Sequence, residues 1–213
     1  LDDSNIDSNY TCTYYPWMKT YDSDNNQYIY LPPTKDVVKN FAYTDNTAYP
    51  WFPAAGYSSG QISGVNPKKV LKLSEQDELY GGRINFINKF ASEGMRIWGD
   101  KNLQVAESQM NRISKRRLLV RIRKLLSIAC IGLIFDPNDN TTVKSFKSAV
   151  EPILDDIRNK RGLTDYRIEV DDSQEARDRL ELPAKIYLKL QPNLEYIDIS
   201  FVITPSGANF DDV

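Results

Sequence analysis

Two stretches alternate oxygen-bearing side chains as a calcium loop does: Asp136-Pro-Asn138-Asp-Asn140 and Asp22-Ser-Asp24-Asn-Asn26. Neither completes the loop. The first has Thr141 at the glycine position and Lys147 at the bidentate-acid position, and the second has Gln27 and Pro33 there. Asp and Asn bond readily to nearby backbone, so both runs read as turns or helix caps rather than metal sites. The 213 residues include no histidine, which excludes Ser-His-Asp and Cys-His catalysis, a His-ligated zinc and an imidazole proton shuttle. Cys12 and Cys130 form no CxxC motif; one long-range disulfide and two buried thiols both fit, and two thiols is the preferred reading. The glycines at 56–64 and 81–82 match no phosphate-binding pattern. Asp155-Asp156 and Asp171-Asp172 are sequence neighbours whose side chains diverge on a helix or strand, so neither is a ready acid/base couple. The expectation is a protein with no enzyme activity, cofactor or metal.

Charge patterning is more informative. The chain is 41% hydrophobic and 26% charged with a formal net charge of −2, a globular composition without the basic excess of a nucleic-acid binder. Residues 1–66 hold three bases against seven acids, net −4, leaving 24 against 22, net +2, beyond them. Between Ser108 and Phe135 stand seven bases (Arg112, Lys115, Arg116, Arg117, Arg121, Arg123, Lys124) and no acid. Like charges on a few helical turns repel by a few tenths of a kcal/mol per pair, a penalty that an acidic partner surface removes. A solvated helix face is the plainer reading. A second cluster, Arg158, Lys160 and Arg161, fits favourable placement at a helix C-terminus.

The elements that must position these residues follow from periodicity. Strands are expected at 10–15 and 27–31, joined by the 22–26 turn, then a brief helix capped by Thr34 with Val37, Val38 and Phe41 on one side. Residues 49–64 read as irregular chain that packs through Trp51, Phe52 and Tyr57. A strand at 68–73, a short helix opened by a Ser74 to Asp77 capping box, and strands at 84–90 and 95–98 follow. Leu118, Ile122, Leu125, Leu126, Ala129 and Leu133 form one apolar helical stripe, ended by Asp136 to Asp139. A second helix spans about 141–161, with Val143, Phe146, Val150, Ile153, Leu154 and Ile157 inward, Gly162 past its end, and Pro152 predicting a kink near Ser148. Strands are expected at 166–170, 184–190 and 194–204. The last alternates Ile197, Ile199, Phe201 and Ile203 against Asp198, Ser200 and Val202, and such a strand near a chain end is either a paired sheet member or an exposed edge that supports strand addition between subunits. The fold class is α+β: a mixed β-sheet flanked by two long helices and preceded by part of a peripheral β-rich domain. No apolar run reaches the roughly 20 residues that span a bilayer. Leu1 opens no signal-peptide pattern and stands in place of an initiator Met, so the chain reads as a fragment or a processed piece.

Several ordered segments add a resemblance. They are Trp51-Phe-Pro-Ala-Ala-Gly-Tyr57, Trp98-Gly-Asp-Lys101, Asn111-Arg-Ile-Ser-Lys-Arg-Arg-Leu-Leu119, Phe135-Asp-Pro-Asn-Asp139, Arg161-Gly-Leu-Thr-Asp165, Arg179-Leu-Glu181, Ile186-Tyr187 and Gly207-Ala-Asn-Phe210. Together, from about residue 51 to 213, the chain resembles the C-terminal part of contractile tail sheath proteins of the T4-like phage type. The family's Asp-Arg-Ile-Asn reads Asn111-Arg-Ile-Ser114 here, and its Phe-Glu-Pro-Asn reads Phe135-Asp-Pro-Asn138.

The resemblance implies a virion structural protein assembled in the host cytoplasm, with no membrane insertion and no direct nucleic-acid contact. Its partners would be itself, in sixfold rings stacked as a helical sheath, the tail tube, and baseplate and tail terminator proteins. Contraction of that sheath drives the tube through the host envelope. It implies residues 1–60 as the end of a peripheral domain and loop, and 61–213 as the core domain with a strand-exchange arm carrying Tyr196, Ile197, Ile199, Phe201 and Ile203. Tube-facing cations would come from Arg158, Lys160 and Arg161 or from Arg116, Arg117, Arg121 and Lys124. The alternatives are a sheath-like or baseplate component of a related contractile injection machine, and a nucleic-acid-binding module using residues 112–124.

Overall fold

The computed structural model describes residues 6–62, 66–92 and 94–196. In chain order the elements are β1 (Thr13–Tyr15), β2 (Met18–Asp22), β3 (Gln27–Leu31), α1 (Thr34–Thr47), α2 (Gly56–Ser59), β4 (Asn66–Pro67), α3 (Leu73–Gly81), β5 (Ile84–Phe90), β6 (Gly94–Trp98), α4 (Ile113–Cys130), α5 (Asn140–Asn159), β7 (Leu163–Val170), α6 (Gln174–Asp178) and β8 (Ala184–Leu190). The α+β class is as expected, but the strands divide into three small sheets. The mixed one has β5 at its centre, parallel to β1 and antiparallel to β6. Of the two long helices, α5 lies against β7 and α4 packs on α5, so the pair is layered on the β7–β8 sheet rather than on the mixed one.

Two cores result. Leu118 and Ile122 of α4 meet Val150, Leu154 and Ile157 of α5, with Leu163, Leu190 and Trp51 completing the cluster. Each such side chain contributes ~2 kcal/mol by leaving water. The second core gathers Ile87, Met95 and Ile97 of the mixed sheet with Met18, Val37 and Ile62. Residues 6–62 therefore enter both cores.

Local chemistry explains where expectation and structure part. The 22–26 turn joins β2 to β3, not 10–15 to β3; the Asp22 carboxylate accepts from the Asp24 N–H at 3.1 Å and Asn26 takes φ +52°. β2 escapes a pattern search because Lys19 and Asp22 interrupt its apolar alternation. Residues 68–72 form no strand: the Asn88 side chain serves both backbone groups of buried Leu71, accepting at 3.3 Å and donating at 3.1 Å, which replaces a ladder neighbour. α3 starts at Leu73, and Glu75, not Asp77, takes the Lys72 N–H at 2.9 Å. α1 is 14 residues long with Pro33 rather than Thr34 at its N-cap, and Val38 faces solvent. α4 stops at Cys130 and a 3-10 turn, Ile131–Leu133, carries the last of the apolar stripe. Asp139 is the cap of α5, accepting from the N–H groups of Thr141 and Thr142 at 2.8 and 2.9 Å. α5 is continuous through Pro152. Residues 194–196 form no strand, and 197–204 lie outside the described residues.

The end of α5 shows how the layers are joined. The N–H of Gly162 bonds to the Ile157 carbonyl at 2.9 Å and that of Arg161 to the Arg158 carbonyl at 3.0 Å, a Schellman closure. Arg161, not the glycine, sits in the left-handed region, at φ +63°. Gly162 is needed for space: a Cβ there would come within 2.6 Å of Ile157 Cγ2 and 3.2 Å of Trp51 Cε2. Arg161→Gly is therefore expected to raise the unfolding free energy by about 0.5–1 kcal/mol, read from urea midpoints, by relieving the strained conformation.

Candidate assembly surfaces

The seven cations around α4 divide by their surroundings. Arg117 forms an ion pair with Asp45 and lies 4.7 Å over the Phe41 ring; Arg116 lies 4.3 Å over Tyr10 and donates to its hydroxyl at 3.2 Å. Together with Arg121 and Lys124 they rim a groove of about 460 Å³ floored by Cys12, Phe41, Pro50, Ile113 and Val120. Arg121 and Lys124 make no ion pair among the described residues, and one guanidinium nitrogen of each of Arg116 and Arg117 is buried without a hydrogen-bond partner. Four cations against the single carboxylate of Asp45 leave the groove lining net positive, which favours a partner that brings acceptor oxygens. Burial pushes the Cys12 thiol on its floor above its ordinary range, keeping it protonated.

The second cluster is largely balanced within its own helix. Arg158 pairs with Asp155 at 2.8 Å and Lys160 with Asp156 at 2.7 Å, each an acid on the same helix. Arg161 gives its backbone to the helix closure and its side chain is exposed, so two of the three charges are balanced. The structure brings Arg116, Arg117, Arg121 and Lys124 to one groove and leaves Arg158, Lys160 and Arg161 at the far end of α5.

Of the expected strand-exchange residues, only Tyr196 is described; Ile197, Ile199, Phe201 and Ile203 lie outside the described residues. What precedes them is a junction of single polar residues that no periodicity marks. Arg112 grips Glu195 with two nitrogens, the second at 2.9 Å, and Tyr80 donates to the same carboxylate at 2.9 Å. Burial pushes the Glu195 carboxyl up, but the Arg112 and Tyr80 hydrogen bonds outweigh it and hold it below the ordinary range. Beside it, buried Lys115 donates to Asn193 at 2.8 Å, and Asn193 donates to the Ser114 hydroxyl at 3.1 Å. Burial lowers the Lys115 pKa. Asp100 caps α4 from outside, accepting from the Ser114 N–H at 3.1 Å and hydroxyl at 2.5 Å, since Arg112 at the N-cap has no acceptor. Burial raises the Asp100 pKa to about 6, with the Ser114 bonds pulling against it.

The β7–β8 hairpin is the other assembly feature. Tyr166, Ile168, Ile186, Leu188 and Leu190 face the helices while Arg167, Glu169, Tyr187 and Lys189 face solvent. Among the described residues neither strand has a second neighbour, so both outer edges present unpaired backbone groups. Also among the described residues, no three Cys, Asp or Glu side chains gather as a metal site, and no helix is long and apolar enough to cross a membrane.

Comparison with known proteins bears on these surfaces. The chain is 33% identical over 217 residues to the tail sheath protein of Vibrio phage KVP40, aligned over 100% of its own length and 32% of that protein's. It is 28% identical to the tail sheath protein of Enterobacteria phage T4 over 98% of the chain, and 22% identical to that of Salmonella phage ViI over 92%, each again covering 32% of the relative. The chain thus spans about a third of the length of the curated relatives it matches. Among solved structures, the contracted sheath complex of the extracellular contractile injection system PVC superposes with TM-score 0.86 at 22% identity, covering 99% of this chain and 59% of that one. The baseplate of the anti-feeding prophage gives TM-score 0.83 at 19% identity, covering 96% and 57%. These likenesses establish a shared fold. No protein-family model matches the chain.

Proposed function

Because this chain is homologous along its whole length to phage tail sheath proteins, we propose that it belongs to a structural subunit of a contractile tail sheath. Copies polymerise around a tail tube as stacked sixfold rings, assembled in the host cytoplasm and bounded by baseplate and tail terminator proteins. On contraction they drive the tube through the host envelope. The observation that carries this reading is the two-stranded β7–β8 sheet, open at both edges among the described residues. The inner face of the sheet packs on the helices, but its two edges are open, and strands supplied by neighbouring copies would extend it while linking subunits. The arm from Tyr196 through Ile197, Ile199, Phe201 and Ile203 is the segment proposed to supply one. Such links move with rigid bodies, so contraction needs only two lattice packings of different free energy and no catalytic step.

Within this reading the α4 cations face the tube. Arg116, Arg121 and Lys124 lack acidic partners among the described residues, whereas Arg158 and Lys160 are neutralised by Asp155 and Asp156. Their attraction to an acidic tube is screened by salt and breaks without a large penalty as the sheath moves. The likeness to injection-system sheath and baseplate chains favours, as a second reading, a sheath-like or baseplate component of a related machine.

Electron microscopy of the intact protein tests the first reading. Rings or long hollow cylinders are expected, and compact monomers at high concentration would sink it. A triple variant, Arg116→Glu with Arg121→Glu and Lys124→Glu, should lose salt-sensitive co-sedimentation with tube protein by at least about tenfold while still self-assembling, because it reverses three charges across a shared groove. Arg158→Glu with Lys160→Glu should lose less, and the opposite ranking would move the tube contact to α5.

A further inference from the structure

Residues 191–196 follow β8 as irregular chain, yet they are held by side chains at alternate positions. Asn193 and Glu195 point inward while Leu194 and Tyr196 are 78% and 75% exposed. Residues two apart on extended chain share a face, so one face is bonded to the body and the other left open. The bonded face meets an organised receptor. The Arg112 and Glu195 side chains are only about a fifth exposed, at 21% and 22%, although the backbone of residue 195 lies at the surface. Tyr80 is itself fixed by Lys101, whose amine donates to the Tyr80 carbonyl at 2.8 Å and lies 4.1 Å over its ring. Ser114 is shared between Asp100 and Asn193, and Lys115 is buried. A fork–carboxylate pair and three further hydrogen bonds on a segment of no regular structure exceed what a surface connection needs.

We infer that Tyr80, Arg112, Ser114 and Lys115 form an anchor that fixes, through Asn193 and Glu195, the root from which the C-terminal arm leaves the body. Pull on the arm then passes into the first turn of α4 and the core instead of peeling the segment away. Arg112, Ser114, Asn193 and Glu195 are positioning residues for the inter-subunit link, and this role rests on the sheath reading above.

Charge reversal and swap test it in the intact protein. Glu195→Arg and Arg112→Glu should each speed hydrogen exchange of the Gln191 N–H, which bonds to the Gly162 carbonyl at 3.2 Å, by at least about tenfold in the unassembled chain, and each should cut the assembled fraction by a similar factor at fixed protein concentration. The double variant, Arg112→Glu with Glu195→Arg, should recover much of both, which a loss of folding would not allow. Asn193→Ala should loosen the segment without adding a charge and give a smaller change in the same direction. Unchanged exchange in the single variants overturns the anchor. Faster exchange with wild-type assembly overturns its role in the link. If the unaltered protein forms no assembly, the sheath reading and the link role fail together, while the exchange data still judge the anchor.

Discussion

Trp51→Ala is expected to lower the unfolding free energy by about 4 kcal/mol, the range for emptying a large aromatic site in a packed core. Trp51 is 6% exposed and belongs to the same cluster as Leu118, Val150, Leu154 and Ile157. Its ring stacks on Tyr49 at a centroid distance of 4.9 Å and an interplanar angle of 8°. Its indole N–H donates to the Lys160 carbonyl at 3.0 Å, satisfying an acceptor that the end of α5 leaves open. Gly162 is the counterpart that lets the ring approach. The substitution thus removes apolar contact, a stacked pair and a cap together. Trp51→Phe retains most of the area but not the donor and should cost about 1–2 kcal/mol. Urea unfolding at constant m-value measures both. A loss below about 1 kcal/mol for the alanine variant would mean that the 49–55 loop is not part of this core.

The sequence made the regular parts of this architecture readable because burial imposes a period on them. Val150, Leu154 and Ile157 repeat at helical spacing and are fully buried, and β8 alternates as expected over the same seven residues it occupies. Partnership was less legible. β1 was readable as a strand, but nothing local says that it runs parallel to β5, seventy residues later. The basic stripe of α4 was plain, yet its division was not, because Asp45 and Tyr10 are brought to Arg117 and Arg116 by tertiary folding alone. The polar junction carried the least signal. Asp100, Asn193 and Glu195 are single polar residues in irregular chain, and hydrogen bonds between distant single residues leave no period. One hint existed: Asn111 and Arg112 offer no carboxylate at the start of α4, and Asp100 supplies one from outside the helix.

The buried Asp100 carboxylate gives the second large effect, a pH dependence of stability. Burial raises the folded Asp100 to about 6 against an ordinary 3.8, while Ser114, Lys115 and Arg112 oppose the rise. A raised carboxyl pKa means that the folded state binds the proton more tightly than the unfolded chain. The stabilising contribution is complete below about pH 4 and is lost as pH rises through about 6. Between pH of about 4.5 and 7 the loss should be about 2 kcal/mol. Glu195 runs the other way: its lowered pKa adds stability at neutral pH that disappears as acid protonates it. Asp100→Asn isolates the first contribution, since the amide oxygen still accepts from the Ser114 N–H and carries no charge. The stability difference between wild type and Asp100→Asn should therefore shift by about 2 kcal/mol in favour of the variant from pH of about 4.5 to 7, by urea unfolding at each pH. A difference that does not vary with pH would show that Asp100 keeps an ordinary pKa and that water reaches it. The same carboxylate bonds Ser114, which in turn bonds Asn193. A protonation that reorients the Ser114 hydroxyl thus reaches the arm root directly, and the protection of the Gln191 N–H, taken relative to its intrinsic exchange rate at each pH, should change over the same pH interval in wild type and stay level in Asp100→Asn.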